Sequence, residues 1–328
     1  MKKVVLLSIV IATVLLTVAV VADAQQATKI PRIGYIGTNS PTTNAARIEA
    51  FRQGLRALGY VEGKNIVIEW RWAEGQLDRL PALTAELVRL KVDIIVSAGP
   101  ALTRLLKDAT KTIPIIMGFD NDPVGNGFVA SLARPGGNIT GLSTLAPEIS
   151  GKQLELLKET LPKLSRVAVL GNSTLPGSAQ ALKEIELAGR GFKVKLQFLD
   201  VLNPKDIKTA FRAAVKGRAE AVLVLQNPIL SYNRKQVIDL AVKNRLPVIY
   251  DRTEFVEDGG LMTYSVNIAD LDRRAATYVD KILKGRTPAD LPVEQPMRFE
   301  FIINLKAAKQ IGLTIPPNVL VRADKVIR

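Results

Sequence analysis

The stretch "ARPGGNITGLS", Ala133–Ser143, decides how this chain is organised. Arg134-Pro135-Gly136-Gly137 breaks regular structure firmly, and Asn138–Ser143 then reads as a short strand. A hard stop in mid-chain followed by an immediate restart marks a junction between two folded units. The glycines on both sides are expected to supply the dihedral freedom that such a junction must absorb. The strand is expected to carry the chain across it.

The pattern is the same on either side. Upstream, "RIGYIG" (Arg32–Gly37), "NIVIEWRW" (Asn65–Trp72), "DIIVSAG" (Asp93–Gly99) and "IPIIMGF" (Ile113–Phe119) read as strands. Amphipathic segments separate them. One runs from Asp78 to about Lys91 with Leu80, Leu83, Leu87 and Leu90 at helical spacing. Downstream, a helix is expected over Gly151–Leu161, then strands at "RVAVLGN" (Arg166–Asn172), "KVKLQFLD" (Lys193–Asp200), "AVLVLQN" (Ala221–Asn227) and "PVIYD" (Pro247–Asp251). Strand and helix alternate throughout, which is the grammar of a parallel sheet covered on both faces. The spacing therefore predicts an α/β protein of two doubly wound parallel-sheet lobes. A glycine-led return strand, "GGLMTYSVN" (Gly259–Asn267), feeds a helix over Asp270–Leu283 that is expected to pack back on the first lobe. The expected bounds are residues 30–142 with about 267–287 for lobe 1, and 143–266 with about 288–328 for lobe 2.

Length agrees: 328 residues suit two lobes of roughly 120–150 residues. The N-terminus reads differently. Lys2-Lys3 is followed by a nearly all-apolar run from Val4 to Val21, and Ala22-Asp23-Ala24 fits a small-x-small cleavage site. Residues 1–24 are expected to be a secretory signal peptide rather than a retained membrane anchor. There is no cysteine, hence no disulfide, no thiolate chemistry and no lipid-modified cysteine. An exported protein without that tether is expected to be free in the periplasm of a two-membrane cell. There is no histidine either, which removes the commonest general base and metal ligand. The net charge is +14. Lys and Arg are interleaved with Asp and Glu and form no basic run of five, so no nucleic-acid partner is expected.

Longer segments resemble a known family. They are "FRQGLRALGYVEGKNIVIEWRWAEG" (Phe51–Gly75), "DRLPALTAELVRLKVDIIV" (Asp78–Val96), "DPVGNGFVASLARPGGNITGLS" (Asp122–Ser143), "GKQLELLKETLPKLSRVAVL" (Gly151–Leu170), "EFVEDGGLMTYSVN" (Glu254–Asn267) and the run from Arg273 to Pro317. The chain resembles the exported substrate-binding proteins of ABC transporters, in the family whose better-known members bind tryptophan and related aromatic amino acids. The resemblance spans nearly all of Arg32–Arg328. It implies a type I periplasmic-binding-protein fold, with three crossing segments as a hinge and a small solute held between closing lobes. The implied partners are that solute and an ABC permease with its ATPase; the protein is expected to act as a monomer.

In open parallel sheets, ligands bind beyond the carboxyl ends of the strands. That rule selects Thr38, Asn39 and Ser40, then Ser97 and Gly99, then Asp120 and Asp122 in the first lobe. In the second it selects Asn172, Ser173, Gln226, Asn227 and Asp251, with Ser265 on the return strand. An amino acid or small carboxylate suits these types. Ser97 and Gly99 precede a helix N-terminus, which favours a carboxylate. Asp120, Asp122 or Asp251 can accept from an ammonium. Phe119, Tyr250, Tyr264 and Trp72 can flank an apolar side chain, and Arg252 can meet a second acidic group. Each has a purely structural reading as well: Ser97 as a helix cap, Asp122 before Pro123 as a turn former, Trp72 and Phe119 as core. No cofactor, metal or catalytic residue is expected. There is no phosphate-binding G-x-x-x-x-G-K-[ST], no G-x-S-x-G, and no third glycine after the first strand. An exported hydrolase is thus disfavoured. A ligand sensor for a membrane receptor shares the same fold and stays open as an alternative.

Overall fold

The computed structural model describes residues 29–296 and 298–328. The expected signal peptide, residues 1–24, lies outside the described residues. The first sheet contains β1 (Arg32–Gly37), β2 (Val67–Trp72), β3 (Ile94–Ser97), β4 (Ile115–Asp120) and β5 (Ile139–Ser143). Its order is β2-β1-β3-β4-β5 and every pair is parallel. β3, β4 and β5 are buried along their whole length. That is why they read as continuous apolar runs rather than alternating ones. The helices α1 (Ala45–Ala57), α2 (Leu80–Arg89) and α3 (Pro100–Ala109) connect them. The amphipathic segment from Asp78 opens as a single 3-10 turn, Leu77–Arg79, before becoming α-helical at Leu80.

The second sheet has β6 (Arg166–Gly171), β7 (Lys195–Asp200), β8 (Ala221–Val224), β9 (Val248–Tyr250), β10 (Met262–Ser265), β11 (Glu300–Asn304) and β12 (Lys325–Ile327). Their order is β12-β11-β10-β9-β8-β6-β7, and only β10 and β11 run antiparallel. Around it lie α4 (Ala146–Thr160), α5 (Ser178–Phe192), α6 (Asp206–Lys216), α7 (Pro228–Tyr232), α8 (Arg234–Lys243) and α9 (Thr253–Glu257). α10 (Ile268–Leu283) follows β10 but packs on the first lobe, where Leu271, Ala275 and Val279 share a core with Phe51 and Leu55 of α1. The short helices α11 (Leu305–Gln310) and α12 (Pro317–Val321) close the chain against the second lobe. Among the described residues, no helix is long and apolar enough to cross a membrane.

The chain passes between the sheets three times, and the glycines of the opening stretch do a different job from the one expected. Gly141 has φ +135° and sits inside β5, opposite a register shift between Met117 and Asp120 of β4. A Cβ there would overlap the Met117 carbonyl. Its conformation therefore serves a bulge in the first sheet. Gly137 lies ahead of the strand, in open space and without a positive φ. The backbone leaves the first lobe further on, at Thr144–Leu145, where Leu145 holds a left-handed φ of 56°. α4 then begins at Ala146, ahead of the expected Gly151, because Pro147 suits a first helical turn that needs no donor there. The second crossing joins β10 to α10 at Val266–Asn267. The third comes later than the expected switch near residue 288. The Thr140 hydroxyl donates to the Leu291 carbonyl at 2.5 Å. Ser143 N–H donates to the Glu294 carbonyl at 2.9 Å, and Glu294 N–H to that of Gly141 at 3.0 Å. These bonds keep residues 291–294 beside β5, and the chain crosses only after Glu294.

Candidate functional site

The carboxyl ends of both sheets meet across a cleft. Two adjoining chambers occupy it, with about 570 Å³ and 440 Å³ of empty space counted out to solvent. Asn121, Gln226 and Arg252 belong to both and form the wall between them. The lobes are in contact: Leu77 of the first lobe packs against the cores of both, and the Tyr232 ring of α7 lies over Gly75.

One chamber, called the polar one for the charged pair it holds, also has Ile149, Leu225, Val266 and Ile268 in its wall. β9 delivers Asp251 and Arg252 to it, β10 delivers Ser265, and α4 delivers Ser150 and Gln153. Arg252 is 7% exposed, and its Nε donates to Asp251 Oδ2 at 2.9 Å. Its two terminal nitrogens make no hydrogen bond among the described residues. Asp251 Oδ1 is buried without a partner. Burial pushes the Asp251 carboxyl above its ordinary range even though Arg252 opposes the shift. Gln153 is anchored by its amide nitrogen, which donates to the carbonyls of Tyr250 and Tyr264 at 3.3 and 2.9 Å. Its Oε1 is left for the cavity.

The other chamber is mainly apolar. Phe119, Ala98, Pro100, Ala101, Leu175 and Pro176 wall it, and Thr38, Asn39, Arg47 and Ser231 are its polar members beside the shared Asn121, Gln226 and Arg252. The Arg47 guanidinium carbon stands 5.0 Å from the centre of the Phe119 ring. Its Nε donates to Asp272 Oδ2 at 2.6 Å, and the Tyr35 hydroxyl donates to Asp272 Oδ1 at 2.8 Å. Burial disfavours the Arg47 charge, but the Asp272 carboxylate outweighs it and holds the guanidinium protonated. Burial and the neighbouring Asp272 charge push the Tyr35 hydroxyl well above its ordinary value. Asn39 Oδ1 and Asn121 Oδ1 are buried without partners, like Asp251 Oδ1.

Of the residues selected from sequence, Thr38, Asn39, Gly99, Phe119 and Gln226 border the apolar chamber, and Gln226, Asp251 and Ser265 the polar one. The rest lie outside the lining. Ser40 is engaged with Thr43, whose hydroxyl donates to the Ser40 carbonyl at 3.0 Å. Trp72 stacks on Trp70 at 6.0 Å, against Tyr35. Ser97 Oγ lies 2.6 Å from Thr103 Oγ1 and braces the start of α3. Asp120 is fully buried and accepts from Asp122 N–H and the Asn126 amide at 3.0 and 2.9 Å; burial raises its carboxyl to about 7. Asp122 closes a turn by accepting from Gly125 N–H. Asn172 accepts from Thr174 N–H, and Ser173 donates to Asp200. Asn227 caps α7 by accepting from Ile229 N–H. Tyr250 is buried against Phe255, with ring centres 4.6 Å apart. Arg47, Gln153, Leu175 and Pro176 were not selected. Asn121 sits in a loop that the strand-end rule does pick and was passed over among its neighbours, while Arg252, offered from sequence for a second acidic group, lines both chambers.

Residues 40–327 match the family described as ABC transporter substrate binding protein. The chain belongs to that family. It is a binding protein and not an enzyme, built on the type I periplasmic-binding-protein fold. A tyrosine-binding protein from Clostridioides difficile (strain R20291) is 26% identical over 273 residues, covering 83% of this chain and 78% of that one. The structure of an ABC domain in complex with L-Trp from Streptococcus pneumonia is 26% identical, with a TM-score of 0.84 over 90% of this chain and 99% of that one. A ligand-free, open structure of a substrate-binding protein with adhesive properties from Clostridium difficile shares the fold. Its TM-score is 0.66 at 24% identity, over 91% of this chain and 99% of that one.

Proposed function

We propose that this protein captures an amino acid with an aromatic side chain between its two lobes and delivers it to an ABC permease and its ATPase. It works in the periplasm as a monomer, after loss of residues 1–24. The lobes correspond to residues 30–143 with 268–294, and to 146–265 with 300–328. The carrying observation is the cavity's unmatched chemistry: three buried acceptors without partners, beside an arginine whose terminal nitrogens are open. Leaving a buried acceptor unpaired costs about 1–3 kcal/mol, which a ligand donor recovers. An ammonium answers Asp251 Oδ1 and Asn121 Oδ1, and a carboxylate answers Arg252. The charges of Arg252 and Asp251 cancel, as do those of Arg47 and Asp272, so a zwitterion of zero net charge fits best.

The lobe contacts describe the closed form, and the chain matches the L-Trp complex of a relative better than the open, ligand-free one. Ligand that bridges both lobes favours closure because only the closed form offers it contacts from both sides.

A thermal-shift panel of amino acids, small aromatic acids and sugars tests the reading. Ligand at about 100 times its Kd adds roughly 2.7 kcal/mol, a rise in Tm of about 5–10 °C. Response to aromatic amino acids is expected, with mass spectrometry of denatured protein checking for a ligand carried from the host. Asp251→Asn should then weaken binding about 10- to 100-fold by calorimetry, the worth of a hydrogen bond to a charged group. A sugar hit with silent amino acids, or unchanged affinity in Asp251→Asn, overturns the proposal.

A further inference from the structure

We infer that Asn39 is the specificity-determining residue of the apolar chamber, reading a hydrogen-bond donor on the ligand's side chain, so that indole and phenol side chains are taken in preference to a phenyl. This rests on the amino-acid reading above and deepens it. The two chambers divide the work. The polar one holds the orphaned Asp251 oxygen and Arg252, which are matched to the charged head. The apolar one, walled by Phe119, Pro100, Leu175 and Pro176, takes the side chain. A chamber built only for hydrocarbon would have no use for a naked acceptor. Yet Asn39, 7% exposed, borders it and makes no side-chain hydrogen bond among the described residues, and its Oδ1 is buried and unpartnered.

The amide is also held in place. Ala73 N–H donates to the Gly37 carbonyl at 3.0 Å and Gly75 N–H to that of Thr38 at 2.8 Å, which fixes the backbone ahead of Asn39. Behind it, the Ser40 carbonyl accepts from the Thr43 hydroxyl at 3.0 Å and the Asn44 amide at 2.9 Å. With its flanks tied, the side chain has little room to seek another partner. An aromatic ring with an N–H or O–H at its rim pairs with Oδ1. A plain phenyl leaves it buried and unmet. Sites built to pair with a ligand donor reject the analogue that lacks it, because the site's own polar group is then stranded.

The test is calorimetry of the purified protein with L-tryptophan, L-tyrosine and L-phenylalanine. L-3-benzothienylalanine is added because it replaces the indole N–H by sulfur and keeps the shape. Wild type should bind tryptophan or tyrosine roughly 10- to 100-fold more tightly than its donor-free counterpart. Asn39→Leu should bring that ratio to about one, chiefly by weakening the donor-bearing ligand. Asn39→Asp, which keeps an acceptor, should retain the preference. Equal binding of each pair by wild type overturns the inference and leaves the amino-acid reading standing, as does a preference that survives Asn39→Leu. Silence of wild type toward all four ligands overturns both.

Discussion

A methyl group at Gly75 should oppose lobe closure, beyond a modest cost to the fold that both forms share. Gly75 has φ +78°, and a Cβ built there lies 2.6 Å from Cδ1 and 2.7 Å from Cγ of Tyr232, across the cleft on α7. Those are inner atoms of the ring, so rotation at its tip does not relieve the overlap. The glycine cannot retreat either, because its N–H donates to the Thr38 carbonyl at 2.8 Å. In Gly75→Ala the left-handed backbone costs about 1–2 kcal/mol in open and closed forms alike, a loss of a few degrees in ligand-free Tm. The clash with Tyr232 exists only when the lobes are shut. Overpacking of this kind costs about 1–3 kcal/mol, which lowers the closed population by roughly 5- to 150-fold and raises the apparent Kd by the same factor. Calorimetry with the ligand found by the panel reads that factor, and small-angle scattering reads the lost compaction. Gly75→Ala combined with Tyr232→Ala should restore most of the affinity, since the obstacle is then gone. Wild-type affinity in Gly75→Ala, or a loss that the second substitution does not recover, refutes the contact as a condition of closure.

Asp120 should give stability a pH dependence. Burial raises its carboxyl to about 7 in the folded protein against 3.8 unfolded, so the folded state holds a proton that the unfolded state releases. Its contribution is full below about pH 3.8 and falls as the pH rises toward 7. Asp120→Asn should flatten that part of the Tm–pH curve, and an unchanged slope would place the titration elsewhere. Breaking the Arg47–Asp272 pair should be severe: Arg47→Met strands a fully buried carboxylate, at about 3–5 kcal/mol or roughly 6–20 °C in Tm. Asp272→Asn added to Arg47→Met should recover much of the loss, and equal Tm values for single and double variants would reject the pairing as the cause.

The alternation of strands and helices was legible because burial on both faces leaves only one kind of sequence for each inner strand. The loops of the site were legible too, from topology alone. Which residue of each loop faces the cleft was not. At the end of β6, Asn172 and Ser173 have the right chemistry but are consumed locally, by Thr174 N–H and by Asp200. Asn227 is likewise taken by Ile229 N–H and by the Val201 carbonyl. Short polar side chains serve turns as readily as ligands, and only the local geometry separates the two uses. Arg47 and Gln153 carried no local signal at all. They lie within helices, and their roles depend on Asp272, 225 residues away, and on carbonyls 97 and 111 residues away.

Those distant partners also say where the molecule can bend. The first crossing lands in the second lobe on α4, and Gln153 ties that helix to the ends of β9 and β10 through the Tyr250 and Tyr264 carbonyls. The second crossing lands in the first lobe on α10, and Asp272 ties that helix to β1 and α1 through Tyr35 and Arg47. The third leaves residues 291–294 only after they are bonded alongside β5. Each crossing is thus gripped close to its ends by buried polar contacts, which are costly to break. What is left to bend is short: Leu145 in the first crossing and 266–267 in the second. The groups proposed to hold the ligand's charged head stand beside these segments, Gln153 one helical stretch from the first and Ser265 at the edge of the second. A ligand that binds Asp251, Arg252 and Ser265 therefore acts next to the pivots, where a small displacement of the backbone becomes a large movement at the far rim. Tyr232 and Gly75 meet across the cleft, so their contact reports closure while the head-group contacts drive it.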